Sequence, residues 1–115
     1  MSRYVILEHN HPALHWDFML EAGEILRTWR LAARPAEGQT VAAEATFDHR
    51  PLYLDYEGPI SRNRGSVTRW DVGTFTWLTD SAETVAVSLT GQRLQGTAQL
   101  RRQEAGDWTF TFEPA

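Results

Sequence analysis

Two histidines and an aspartate near the start of the chain are suited to hold a divalent metal ion. His15 and Asp17 are two residues apart, and on a β-strand such residues point to the same side, where both can bind one cation. His9 or His11, a short bend earlier, could supply a third ligand. Two histidines and one carboxylate, with other positions open to water or substrate, form a known type of catalytic metal site. A His-x-Asp triplet also occurs on solvated strand faces. Whether this one is a metal site therefore depends on motifs elsewhere in the chain.

The element that must position these ligands is a β-strand. Polar and apolar residues alternate from His15 to Glu21, and a period of two is typical of a strand with one face toward a core. The apolar residues expected to face that core are Trp16, Phe18 and Leu20. The opposite face should carry His15, Asp17, Met19 and Glu21.

A second strand is expected to return alongside the first. A tight turn at residues 22–23 should lead into a strand over residues 24–31, forming a hairpin. With a two-residue turn, Arg30 would lie opposite His15. A shift of one residue would instead bring Arg27 to the face that carries the candidate ligands, and the sequence allows both registers.

The composition excludes several kinds of chemistry. The chain contains no cysteine, which excludes disulfides, iron–sulfur clusters, thiolate zinc sites and thiol nucleophiles. All 11 basic residues are arginine. Without lysine there is no Schiff-base chemistry, no nucleotidyl-lysine intermediate and no Walker-type phosphate loop. The net charge of −4 argues against a large non-specific nucleic-acid surface, because such binding neutralises many phosphates at once.

The length of 115 residues predicts a single domain over residues 1–115, long enough to bury a proper core. The apolar run at residues 4–7 is far too short for a signal peptide or a membrane span. A cytoplasmic protein without membrane association is therefore expected.

Short strands with turn signals between them are predicted along most of the remaining chain, and no window sustains helical periodicity over three turns. The strand-like segments are residues 4–7, 52–59, 67–70, 73–78, 84–89, 97–102 and 108–113. Residues 41–47 fit either a strand or a loop. Residues 61–66 form an arginine-bearing loop of the kind that can close over a ligand. With five tryptophans for a core, the expected fold is mainly β, a small antiparallel β-barrel with little helix.

Several motifs, taken in order, resemble the 3′-phosphoesterase domain of bacterial DNA ligase D. The first is the H-x5-H-x-D-x3-E spacing from His9 to Glu21. The others follow in the same order: residues 23–29, Asp48-His49, residues 55–58, Trp70-Asp71 and Gly73-Thr74. The resemblance runs from about Arg3 to residues 70–77 and continues more loosely to Trp108. We therefore expect a stand-alone, diverged relative without a ligase or polymerase module.

The resemblance implies a small β-barrel that binds manganese and trims the 3′ ends of DNA primers, especially ends with a ribonucleotide or a 3′-phosphate. In that family the metal is held by residues that match His9, His15 and Asp17. A histidine matching His49 contacts the phosphate, and an active-site tyrosine matches Tyr53. Without the resemblance, the Asp-His-Arg-Pro motif around His49 would indicate only a turn. His11 precedes Pro12 and is expected to be exposed, so it is left out of the site.

Two departures from the family pattern bear on activity. The family has a phosphate-contacting arginine two residues after the metal-binding aspartate, where this chain has Met19. It has an acidic residue two positions before the phosphate-contacting histidine, where this chain has Phe47. A methionine cannot donate a hydrogen bond to phosphate, so another cation must replace it. The arginines available are Arg27, Arg30, Arg62, Arg64 and Arg69, and Arg64 in the exposed loop is the predicted third catalytic residue.

Three functions fit these observations. The first is a metal-dependent phosphoesterase acting on DNA or RNA-terminated DNA 3′ ends in repair, with a repair ligase or polymerase as its candidate partner. The second is a metal- and nucleic-acid-end-binding module that has lost catalysis, and Met19 and Phe47 are its support. The third is an enzyme for small phosphoesters, which fits the acidic charge. The family favours manganese, whereas the two histidines and aspartate alone would also accept zinc, iron or cobalt.

Overall fold

Nine β-strands and one short 3-10 helix form the part of the chain that this computed structural model describes, residues 2–115. The strands are β1 (Ser2–His9), β2 (His15–Ala22), β3 (Ile25–Leu31), β4 (Thr40–His49), β5 (Gly58–Pro59), β6 (Ser66–Asp80), β7 (Thr84–Gly91), β8 (Gln95–Arg102) and β9 (Trp108–Pro114). The 3-10 helix, Pro51–Leu54, lies between β4 and β5. Within residues 2–115, no helix is long and apolar enough to cross a membrane.

Eight of the strands close into a barrel. Hydrogen-bonded neighbours follow the order β1-β2-β3-β4-β9-β8-β7-β6, and β6 pairs back with β1. Every one of these pairings is antiparallel. Among the described residues, each of these eight strands therefore pairs with a neighbour on both sides. The two-residue β5 is attached to the start of β6. The predicted antiparallel β-barrel with little helix is confirmed.

The barrel interior is an apolar core to which most of the eight barrel strands contribute alternate residues, whereas β6 contributes Phe75 and the partly buried Trp70. Trp16, Phe18 and Leu20 on β2 all belong to it, so their predicted inward orientation is confirmed. Phe18 and Phe110 meet edge to face, with ring centroids 5.4 Å apart. Trp29 and Trp108 meet in the same way at 5.8 Å. Each pair joins a strand of the β2–β3 hairpin to β9, which is not its hydrogen-bonded neighbour, so both contacts cross the interior.

The outer face of β1, β2 and β3 carries a second, smaller core. Met19 is 1% exposed although it lies on the face opposite the barrel interior. The residues buried with it are Val5, Leu7, Leu26, Leu54 and Val67. The chain from the 3-10 helix to Ile60 covers this face, and Tyr53 and Tyr56 pack against it. Both faces of β2 are therefore buried, whereas alternation alone predicts one core-facing side.

The hairpin between β2 and β3 settles the register. Ala22 pairs with Ile25, so the turn residues are Gly23 and Glu24 rather than residues 22–23. Gly23 has φ of +64°, a conformation that glycine adopts without strain. The turn has two residues as considered, but Arg30 lies opposite Asp17 instead of His15. The side chain of Arg30 therefore shares the face of the candidate ligands.

Two predicted strand boundaries are wrong. Residues 52–59 are not one strand, because Pro51 begins a 3-10 helix, for which its fixed φ is suited. Only the last two of these residues, Gly58 and Pro59, form a strand, β5. Residues 67–70 and 73–78 form one strand, β6, rather than two. A bulge at Trp70, opposite the step from Ile6 to Leu7, bends β6 without ending it. Residues 41–47, left open between strand and loop, belong to β4.

Candidate metal and phosphate site

A cavity of about 440 Å³ opens on the outer face of the barrel, beside the smaller core. Its walls come from β1, β2, β3, the end of β4, the 3-10 helix and the loop before β6. The sequence-predicted residues that line it are His9, Asp17, His49, Tyr53 and Arg64. His15, the remaining predicted residue, contacts Asp17 directly. The six residues are thus brought together although they are spread from residue 9 to residue 64.

His9, His15 and Asp17 form a compact donor cluster. One donor atom from each lies within 4.8 Å of the others. Asp17 Oδ2 is 3.2 Å from His15 Nε2 and 3.7 Å from His9 Nδ1. The five residues between β1 and β2 reverse the chain direction. His9 and His15 are therefore paired directly across the two strands. His15 and Asp17 are buried, and His9 is half-buried.

Backbone carbonyls fix the orientation of both imidazoles. His15 Nδ1 lies 2.8 Å from the carbonyl oxygen of Ala13, and His9 Nε2 lies 2.8 Å from that of Arg64. A carbonyl only accepts, so each of these nitrogens donates its hydrogen. In a neutral imidazole the other nitrogen then has a free lone pair, and in both residues that nitrogen faces Asp17. Two lone pairs and a carboxylate that converge on one point fit a divalent cation. In metal-binding histidines the other ring nitrogen usually donates to a carbonyl or carboxylate, as it does in both of these residues.

The same geometry favours a proton when no cation is bound. The hydrogen bond to Asp17 is the main reason that the pKa of His15 is raised above its ordinary value, and burial opposes it. A proton and a metal ion therefore compete for the same nitrogen.

His49, at the end of β4, has one ring nitrogen fixed as a donor and lies in surroundings that disfavour its charged form. Its Nδ1 is 3.0 Å from both Thr28 Oγ1 and the carbonyl oxygen of Phe47. Because the Thr28 hydroxyl donates to the carbonyl of Leu26, it accepts from His49, so Nδ1 carries the hydrogen. Burial is the main reason that the pKa of His49 is lowered. Its Nε2 makes no hydrogen bond within residues 2–115 and is free to accept a proton.

Aromatic rings surround His49 on two sides. Phe47, which is 72% exposed, stacks on the imidazole with centroids 4.6 Å apart and planes 16° from parallel. Tyr53 on the 3-10 helix approaches the imidazole edge to face at 5.7 Å. Tyr56 supports Tyr53 at 6.0 Å, and its hydroxyl donates to the carbonyl of Pro59. The 3-10 helix thus positions Tyr53 beside His49.

The loop of residues 61–65 closes one side of the cavity. Its backbone adopts positive φ at Arg62, Asn63 and Gly65, and a Cβ at Gly65 would collide with Asn10. Asn10 in turn accepts a hydrogen bond from the backbone of Ser66. The Arg64 guanidinium donates to Ser61 of its own loop. Its carbonyl orients His9, a contact that the sequence does not predict.

Three other features of the cavity differ from expectation. His11 was expected to be exposed and outside the site, but it is half-buried and lines the cavity, because the bend before β2 folds back against the loop of residues 61–65. Arg30 lines the cavity, whereas Arg27 on the same strand forms an ion pair with Asp80 elsewhere. Thr28 was not predicted from the sequence as the residue that orients His49. Thr28 is two residues from Arg30 on a predicted strand and so shares its face, and this was the available signal.

Comparison with known proteins places this fold and cluster in context. The family described as the DNA Ligase D 3′-phosphoesterase domain matches residues 7–102. The chain is 33% identical, over 89% of its length, to the multifunctional non-homologous end joining protein LigD of Pseudomonas aeruginosa. It is 32% identical, over 93% of its length, to the multifunctional non-homologous end joining DNA repair protein LigD of Mycobacterium tuberculosis.

The matched region is a small part of each relative. It spans 13% of the Pseudomonas aeruginosa protein and 15% of the Mycobacterium tuberculosis protein. Within this chain, however, the family match contains every residue of the donor cluster together with His49, Tyr53 and Arg64. The chain therefore belongs to the DNA ligase D 3′-phosphoesterase domain family.

Proposed function

We propose that this protein is a metal-dependent phosphoesterase that processes DNA or RNA-terminated DNA 3′ ends in DNA repair. The observation that carries the proposal is the convergence of a three-residue donor cluster and His49 on one cavity. Membership of the phosphoesterase family supports the same chemistry. The printed names of the relatives, which refer to non-homologous end joining, support a role at DNA ends, in company with a repair ligase or polymerase.

The metal would be held by His9, His15 and Asp17. Manganese is the ion favoured by the family resemblance, while zinc, cobalt and iron also suit two imidazoles and a carboxylate. A divalent ion bound there supplies Lewis-acid stabilisation of charge on a phosphate and lowers the pKa of water. The carbonyls of Ala13 and Arg64 keep the two imidazoles in the tautomers that this binding requires.

The role proposed for His49 follows from its hydrogen bonds. With Nδ1 donating to Thr28 and Phe47, Nε2 is a base in the resting protein. It can accept a proton from an attacking water and then deliver that proton to the leaving oxygen of the substrate. A lowered pKa keeps His49 ready for the first of these steps near neutral pH. Tyr53 and Arg64 line the same cavity and would contact the phosphate.

Two other functions keep specific support. Met19 is buried and has no hydrogen to donate, which favours an end-binding module without turnover. The net charge of −4 favours an enzyme for small phosphoesters over one that binds a long stretch of DNA. The end-binding module differs from the main proposal in having no turnover, and the small-phosphoester enzyme differs from it in the substrate that is cleaved.

The test is cleavage of a labelled primer–template with one 3′-terminal ribonucleotide, in the presence of Mn²⁺, compared with a small aryl phosphodiester. We expect the wild type to shorten the primer, and His15→Ala and His49→Ala each to lose that activity. Arg101→Ala, an exposed arginine substitution on β8, is the control and should cleave normally.

The outcomes separate the three functions. Cleavage of the aryl ester alone would contradict a DNA 3′-end enzyme and support a small phosphoester as substrate. Binding of the primer without cleavage of either compound would support the end-binding module. A primer that His15→Ala shortens as fast as the wild type would contradict metal dependence at this cluster.

A further inference from the structure

Among residues 2–115, Arg30 is a cavity arginine without an ion-paired acidic partner. It lies on β3, opposite Asp17 on β2 and Glu44 on β4. No ion pair found within residues 2–115 includes it. Its Nε is buried and has no hydrogen-bond partner among the described residues. Leaving a buried donor of a charged group unpaired is costly, so the position is explained if a ligand supplies the acceptor.

Several other arginines already have partners. Arg3 and Arg27 form ion pairs with Asp55 and Asp80. Arg93 donates to the carbonyl of Trp70 and lies over its ring. The guanidinium of Arg64 donates to Ser61. These arginines have structural contacts that Arg30 lacks.

Arg50 also lines the cavity, but it is exposed at the rim. A solvated rim charge gains little from binding an anion, whereas a partly desolvated one gains more. Arg30 differs from it by having a buried Nε, by pairing with Asp17 across β2 and β3, and by lining the same cavity as His49. Arg30 therefore lies near the donor cluster and near the proposed base at once.

We propose that Arg30 binds the substrate's phosphate group and replaces, from β3, the arginine that the family carries on β2 at the position of Met19. The inference rests on the proposed function for the identity of the ligand. Its physical basis is that Met19 and Arg30 lie on the outer face of neighbouring strands. Asp17 pairs with Arg30, and Met19 pairs with Thr28. Met19 and Arg30 are therefore diagonal neighbours on that face. Both Met19 and Arg30 line the cavity.

The charges at the site agree with this assignment. Asp17 would offset part of the charge of Arg30 in the metal-free protein. A divalent ion on the donor cluster would more than neutralise Asp17, so Arg30 and the ion together would present net positive charge to the cavity. An oligonucleotide 3′-phosphate, with its non-bridging oxygens, is suited to accept hydrogen bonds from a guanidinium.

The test compares the affinity of a short DNA strand carrying a 3′-phosphate with that of the same strand carrying a 3′-hydroxyl, by calorimetry in the presence of Mn²⁺. The ratio of the two affinities isolates the phosphate contact. We expect the wild type to prefer the 3′-phosphate and Arg30→Met to lose about tenfold or more of that preference, the size of a lost charge-assisted hydrogen bond. Arg30→Lys should keep part of it.

The matched control is Arg27→Met, which removes an arginine from the same strand but outside the cavity, and it should keep the wild-type ratio. Adding Met19→Arg to Arg30→Met should restore the preference by returning an arginine to the family position. This rescue also shows that the Arg30→Met protein is folded and able to bind.

Three results would overturn the assignment. They are a wild type without preference for the 3′-phosphate, an Arg30→Met protein with the wild-type ratio, and a loss confined to Arg50→Met. Every protein in this comparison, including the one with arginine at position 30, also carries His49→Ala, so that the 3′-phosphate is bound without being hydrolysed. The assignment can therefore be distinguished from the proposed activity. If the preference for the 3′-phosphate depends on Arg30 but the wild-type protein cleaves no substrate, the proposed phosphoesterase activity is contradicted and the assignment of phosphate binding to Arg30 stands.

Discussion

His15 and His49 have the same side chain and opposite surroundings. His15 has a carboxylate oxygen 3.2 Å from Nε2, which stabilises the protonated imidazole. His49 faces a hydroxyl and a carbonyl through Nδ1, and burial disfavours its charged form. One residue is thus suited to hold a cation and the other to accept a proton.

This contrast predicts opposite titration shifts in the metal-free protein. The pKa of His15 should lie above the ordinary value of 6.5 and that of His49 below it. Histidine ring signals followed by NMR against pH would measure both, with His15→Ala and His49→Ala giving the assignments. A midpoint for His49 at or above 6.5 would contradict the neutral base.

The sign of each effect on stability follows by linkage. The raised pKa of His15 stabilises the fold fully at pH below the unfolded pKa, and this is lost as pH rises through the folded pKa. The lowered pKa of His49 gives stability that is present at pH above the unfolded pKa and is lost as pH falls through the folded pKa.

For single residues, the sequence predicts which functional side chains lie together better than it predicts the distant groups that contact them. Residues two apart on a strand must share a face, so the proximity of His15 and Asp17 follows from sequence alone. The tautomer of His9 depends on the carbonyl of Arg64, 55 residues away. The position of Arg30 depends on the hairpin register, which local pattern leaves open. Such contacts are set by tertiary structure and have no signature in the chain.

At the scale of elements, the site depends on the 3-10 helix Pro51–Leu54 that covers the outer face of the barrel. Leu54 is buried in the smaller core, next to the tyrosine that approaches His49. Leu52, two residues earlier, is 44% exposed. One helix therefore offers a buried and an exposed leucine for comparison.

Leu54→Ala should lower the free energy of unfolding by about 2–5 kcal/mol, the usual cost of a cavity at a buried leucine. Leu52→Ala, the matched control, should change it by less than about 1 kcal/mol because its side chain is largely solvated. Urea unfolding followed by tryptophan fluorescence measures both. Equal effects of the two substitutions would contradict the packing of the 3-10 helix on the barrel.

The strands of the barrel were easier to predict than the 3-10 helix. Alternating residues and turn signals are local, and they identified most strands of the barrel. The helix was missed because Leu52 and Leu54 alternate with polar or aromatic neighbours as a strand would. What selects the helix is Pro51 together with burial of Leu54 against β1 and β2, and the second of these depends on the fold.

At the scale of the whole molecule, Asp71 links distant parts of the barrel. It is 1% exposed and accepts hydrogen bonds from the Tyr4 hydroxyl at 2.5 Å and from the backbone of Arg93 and Leu94 at 2.8 and 3.1 Å. These bonds join β6 to β1 and to the turn between β7 and β8. A Cβ at Gly91 would collide with Tyr4 and Asp71, so only glycine fits there.

Asp71→Asn should destabilise the protein by about 2 kcal/mol or more, because an amide nitrogen cannot accept from the donors that face Oδ2. Asp80→Asn is the matched control. It breaks an exposed ion pair with Arg27 and should cost at most about 1 kcal/mol. Thermal unfolding of both variants gives the comparison, and an Asp71→Asn protein as stable as the control would contradict the role of Asp71 in barrel closure.

The measurement that tests the account most directly is the binding of Mn²⁺ to the metal-free protein, followed by electron paramagnetic resonance of the free ion. We predict one ion per chain for the wild type and for the exposed carboxylate control Asp107→Asn, with binding lost in Asp17→Asn and His15→Ala. Binding of Mn²⁺ to Asp17→Asn as tight as to the wild type would contradict the assignment of the metal to His9, His15 and Asp17.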